Sequence, residues 1–222
     1  MSILSEVSVF LESIPTWVSS AIIALTGSFV GALTGGFFTL RGVDREAKIN
    51  RAESEKESLE LQLSVLKGVK GEVATLMDLY DKRMRKLVDN IKPDNFLDVI
   101  FPIGDDNFTF YEKNANVVAK LSDSSRDSII KIYTYARSLI QSYKGNNQLI
   151  TDCEKIIFDM ADNNKNRIMY EKLHSEKIQI MIDYAQGLQS IDAELKEVKE
   201  LGFNVINQEI AELQAKIQKL TH

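Results

Sequence analysis

The sequence predicts an all-α protein: a single apolar transmembrane helix near the amino terminus, a long stalk helix behind it, and an elongated cytoplasmic helical bundle or coiled coil. Three observations carry this reading. Residues 13–40 form a run of 28 without a single charge. Only three prolines interrupt 222 residues, so long helices meet few obstacles. Beyond residue 58 the apolar residues recur at steps of three and four, and no alternating run is long enough to build a sheet. The length allows one domain or two. An apolar content of 44% with 27% charged residues belongs to a folded chain, not a disordered one. One cysteine, Cys153, excludes an internal disulfide and a Cys-based zinc finger.

The uncharged run places the transmembrane helix at residues 16–40. A bilayer core about 30 Å thick needs roughly 20 helical residues, which this run exceeds. A cleaved signal peptide fits poorly, because no Lys or Arg precedes Arg41. Arg41, Arg45, Lys48 and Arg51 follow the run at once, and basic residues beside a span stay on the cytoplasmic side. The expected orientation is an outside amino terminus and a cytoplasmic carboxyl-terminal domain, with Trp17 at the outer interface. Residues 1–15 read as an interfacial amphipathic segment, with Ile3, Leu4, Val7, Phe10, Leu11 and Ile14 opposite Ser5, Glu6, Ser8 and Glu12. The same spacing also suits an extension of a tilted span. Pro15 marks the entry to the span.

Along the span, Gly27, Gly31 and Gly35 form one small-residue row, flanked by Ala24, Ser28, Ala32 and Gly36. Helices in lipid associate by close packing, and small side chains let backbones approach. These residues are therefore expected to carry self-association into a homo-oligomer. The glycines of GALTGG are followed by Phe37 and Phe38, not by the Lys-Ser/Thr pair of a phosphate loop.

Residues 41–91 read as the charged stalk and coiled-coil helix. Asp44 with Lys48, and Arg51 with Glu55, are opposite charges four apart on an exposed helix. A seam then follows through Leu59, Leu63, Leu66, Lys70, Val73, Met77, Tyr80, Met84, Leu87 and Ile91. Lys70 is its one polar member, and Val69 offers an apolar alternative there. Gly68 and Gly71 predict a bend, and Pro93 an end. Residues 92–107 form a loop with an unusually apolar middle. That loop either plugs one end of the bundle or offers Phe96, Leu97, Ile100 and Phe101 as a docking surface.

Residues 108–222 are expected to complete the bundle. A helix over about 107–144 with a cap or break near Asp123, a turn at Lys144-Gly145-Asn146-Asn147, a third helix loosening at residues 161–166, and a weak point at Gly202 follow from local composition. Whether the seams close within one chain or between chains is not readable from spacing, since both solutions satisfy one pattern.

Chemistry finds little footing. Glu171 and His174 make a single Glu-x-x-His motif, whereas a di-iron bundle needs two such motifs and two further glutamates. Cys153 sits among Leu149, Ile150, Ile156 and Ile157, the setting of a structural thiol. Residues 104–112 end in Glu112 but lack the other oxygen ligands of a calcium loop. From Arg41 onward there are 27 basic and 30 acidic residues with no basic stripe, so nucleic acid is not an expected partner. No catalytic residue, cofactor or metal is expected, and the reading is non-enzymatic.

The glycine-zipper segment GSFVGALTGG, followed by Arg41 and a charged coiled coil, resembles the amino-terminal anchors of bacterial and prophage single-pass membrane proteins over about residues 18–60. The resemblance implies a bacterial inner membrane and brings no catalytic residues with it. The function expected is a scaffold, sensor or docking protein whose partners are the bilayer, further copies of itself, and a protein bound to the cytoplasmic bundle. The alternative is an oligomeric pore-forming or membrane-perturbing effector, of a kind met in stress or phage-defence responses.

Overall fold

The computed structural model of the protein describes residues 15–104, 108–162 and 166–221, without the side chains of Thr16, Ser19, Ile22 and Ile23. Every regular element among them is helical: α1 (Thr16–Tyr80), a five-residue π-turn (Asp81–Arg85), α2 (Lys86–Asp89), α3 (Thr109–Lys113), α4 (Ala115–Val118), α5 (Asp123–Asp162) and α6 (Arg167–Thr221). The chain divides into two compact units, Met1–Glu55 and Lys56–His222. Of the expected interfacial segment 1–15, all but Pro15 lies outside the described residues.

In the first unit, the carbonyl of Pro15 accepts from the Val18 N–H at 2.9 Å as α1 begins. From Ala24 to Glu46 every residue is exposed, including Phe29, Leu33 and Phe38, the last at 70%. Thr34 and Thr39 turn their hydroxyls back onto their own helix, donating to the carbonyls of Val30 and Gly35 at 2.8 Å. The Arg41 guanidinium lies 4.6 Å from the centre of the Phe37 ring, a cation over a π face.

The second unit is a helical bundle built on the α5–α6 hairpin, against which the later part of α1 packs. Ile129, Ile132, Tyr133, Leu139 and Tyr143 of α5 meet Leu188, Leu195, Ile206 and Leu213 of α6 in one core. Leu66, Val69, Val73, Met77, Tyr80, Met84 and Val88 enter that core from the α1 side. Leu59, Leu63 and Ile91 pack against it partly buried. Two positions depart from the even heptad. Val69 is buried where Lys70 stood in the seam, and the Lys70 ammonium reaches out to Asn207 Oδ1 at 2.7 Å. Leu87 is 40% exposed and Val88 only 1%. The π-turn accounts for the second shift: it takes one residue more than an α-turn, so the inward position slips from 87 to 88.

One expectation drawn from glycine is corrected: no turn forms at residues 144–147, which lie inside α5. α1 stays α-helical through Gly68 and Gly71, and α6 continues through Gly202. α5 runs on to Asp162, α6 begins at Arg167, and α5 itself begins at Asp123, after the short helices α3 and α4. These glycines serve packing, because helical glycines cost stability unless a neighbour uses the missing side chain. A Cβ at Gly145 would fall 2.1 Å from Tyr184 Oη, at Gly68 2.1 Å from the Phe110 ring, and at Gly202 2.7 Å from Ile132 Cδ1.

Gly71 differs, being exposed with nothing within 4 Å of an added Cβ. Gly71→Ala should therefore stabilise the bundle by about 0.5–1 kcal/mol. Gly202→Ala presses on Ile132, which is buried on all sides, and should destabilise by about 1–3 kcal/mol. Urea unfolding of the two variants checks the opposite signs.

Candidate functional site

Asp192 carries the most demanding buried group of the second unit. It stands on α6 between Leu188 and Leu195, on the face that enters the core, and is 4% exposed. A carboxylate there is costly unless both oxygens are paired. Oδ1 accepts from the Tyr80 hydroxyl at 2.6 Å, and Oδ2 accepts from Arg85 Nη1. Arg85 also donates through Nε and Nη2 to Asp81 Oδ1, at 3.1 and 2.6 Å. With its proton committed to Asp192, Tyr80 accepts from the Tyr143 hydroxyl at 3.2 Å. Helices α1, α5 and α6 and the π-turn thus meet at one polar cluster. The π-turn holds Asp81 and Arg85, four apart, on the side facing Asp192.

Burial raises the Tyr80 phenol far above its ordinary range, and the bond to Asp192 adds to the effect. Burial likewise pushes Tyr143 up to about 12. Both phenols stay protonated in the folded protein, as the hydrogen-bond chain requires. Both Asp192 oxygens are engaged, with Arg85 alongside, inside the bundle. The cluster works as a lock between helices.

Further polar side chains complete the ends of short segments. Asn146, fully buried on α5, donates to the Leu97 carbonyl at 3.2 Å. Asn147 makes a two-way bond with Phe101, donating to its carbonyl at 2.8 Å and accepting from its N–H at 3.0 Å. Gln189 donates to the carbonyls of Val88 and Ile91, closing the end of α2. Glu72 accepts from the N–H groups of Phe110 and Tyr111 at the start of α3 and from the Tyr133 hydroxyl. Burial, then the bond to Glu72, raises the Tyr133 phenol. Glu209 binds the N–H and hydroxyl of Ser122, the residue preceding α5.

The expected docking residues separate under this arrangement. Leu97 is buried in the main core, and Phe96 packs on a smaller cluster of Ile150, Cys153 and Met181. Phe101 meets the Tyr143 ring edge-on at 5.2 Å, while Ile100 is exposed. The loop is thus held against α5, and Ile100 is the member left facing outward. Cys153 is buried, and that burial pushes its thiol up, which favours the unreactive protonated form. Gly27, Gly31, Gly35 and Gly36 have nothing within 4 Å of an added Cβ, and Ala24, Ser28 and Ala32 are exposed. Among the described residues, no group of three His, Cys, Asp or Glu side chains is placed to hold a metal. No helix among them is long and apolar enough to cross a membrane.

Asp192, Asn146, Asn147 and Gln189 were not singled out in the sequence. Asp192 did carry a signal, since it stands four residues after Leu188 and three before Leu195, in line with the apolar stripe. The asparagines were masked by their neighbour Gly145, which made them look like a turn. Comparison with protein families, with curated proteins and with solved structures finds no match to this chain.

Asp192→Ala leaves the Tyr80 hydroxyl with Tyr143 alone and Arg85 with Asp81 alone, and should destabilise by about 3 kcal/mol, the low end for a broken buried pair because these partners remain. Tyr80→Phe, which removes the donor to the Asp192 carboxylate and the acceptor for Tyr143, should cost about 1.5–3 kcal/mol. Denaturant unfolding of both variants measures the difference.

Proposed function

We propose that the chain is a single-pass membrane protein whose residues 16–40 span the bilayer, self-associate through Gly27, Gly31 and Gly35, and display the cytoplasmic bundle as a scaffold or sensor. The observation that carries this reading is the exposure of an uncharged helix. From Ala24 to Leu40 all side chains are exposed, the large apolar ones included, and an apolar surface of that extent calls for lipid or a partner. The run that suits a span also takes in Ile22 and Ile23, whose side chains lie outside the described residues. Arg41, Arg45, Lys48 and Arg51 support a cytoplasmic carboxyl-terminal side, and a bacterial inner membrane follows from the resemblance of the anchor.

A protein scaffold is favoured over a pore because Thr34 and Thr39 spend their hydroxyls on their own helix. A polar lining would need such groups turned outward. The bundle has its register fixed by buried pairs, which suits a rigid platform for a protein partner. Non-enzymatic action is part of the proposal: the buried carboxylate is paired on both oxygens, and burial favours the protonated form of the buried thiol.

Gly31→Leu places a bulky side chain in the middle of the small row. It should lower the fraction of oligomer in mild detergent at least several-fold while leaving the helical content and unfolding of the bundle unchanged. Mass measurement on native and variant chains checks this, and an unchanged oligomer would remove the glycine row from the account. Release of the native chain from membranes by alkaline carbonate would remove the span itself.

A further inference from the structure

Beneath residues 101–104 lies a cavity of about 180 Å³, lined among others by Met77, Tyr80, Phe101, Phe108, Leu139 and Tyr143. Among the described residues that line it, none carries a charge. The space is partly open at the surface; since apolar cavities of roughly 150 Å³ admit benzene, it has room for a guest of that size.

We propose that this cavity binds a small uncharged aromatic molecule, of one ring or two fused rings. The lining selects the class. Tyr80 meets Tyr143 edge-on at 5.9 Å and Phe101 meets Tyr143 edge-on at 5.2 Å, while Phe108 meets Tyr133 edge-on at 5.0 Å. A further ring in the cavity extends this edge-to-face series, an attraction beyond the burial that an aliphatic guest would also gain. The thioether of Met77 adds a sulfur contact suited to a ring. An acid or an amine would lose its hydration with no countercharge to meet it. Because Tyr80 both lines the cavity and donates to Asp192, the guest touches the cluster that ties the π-turn to α6. This assignment does not depend on the membrane reading.

The test is a titration of the full-length protein with fluorobenzene, observing the methionine methyl signals and the fluorine resonance. The Met77 methyl should shift with saturation at one molecule per chain and a Kd of about 0.1–1 mM, while the Met181 methyl stays in place. Ala136→Phe and Ile140→Phe each put a ring into the cavity from α5 and should weaken binding at least tenfold. If the Met77 methyl does not shift saturably, or if both filled variants fold and bind as the native chain does, the proposal fails. Simple partitioning into detergent would appear as a non-saturable fluorine shift without the Met77 response, and counts against it equally.

Discussion

A carboxylate buried in a helical bundle constrains everything around it. Asp192 has its two oxygens satisfied from two directions, by Tyr80 at the end of α1 and by Arg85 in the π-turn. Sliding α1 by a single residue along α6 would strand the charge, at a cost of several kcal/mol. Apolar seams tolerate such slips more readily, since one leucine can replace another. The cluster therefore supplies the register that hydrophobic packing alone leaves loose. The π-turn follows from the same demand: it brings Arg85 to Asp192 and passes the inward position on to Val88.

Much of this fold was legible in the sequence, and the misread parts share a cause. Periodicity at three and four steps gave the helical class, the inward residues from Leu59 to Met84 and the apolar loop. Gly145 followed by two asparagines looked like a turn because those residues are common where chains reverse. In the bundle they do three separate jobs: Gly145 admits the Tyr184 hydroxyl, Asn146 binds the Leu97 carbonyl and Asn147 clamps Phe101. Local composition cannot distinguish a glycine that bends the chain from one that lets a neighbour in. That distinction is made by a residue almost forty positions away.

The polar side chains of the bundle escaped the sequence for a related reason. On a chain rich in charge, Asp192, Glu72, Glu209 and Gln189 resemble the solvated faces that surround them. Their partners are backbone groups of short segments or hydroxyls on other helices, and such partners carry no mark in the sequence. The first forty residues are the reverse case. The reading proposed for them rests on composition: an uncharged run, small residues four apart, and basic residues on one side only.

Central to the account is that the inward face of α1 closes on the α5–α6 hairpin of its own chain. The most direct measurement bridges Lys70 and Asn207, whose side chains meet at 2.7 Å, after both are replaced by cysteine in a Cys153→Ser background. Tagged and untagged chains are mixed and treated with a short bis-maleimide. The account predicts an internally bridged product of monomer mass, formed equally well on dilution. Bridged pairs joining tagged to untagged chains as the main product would show that the seam closes between chains, and would contradict it.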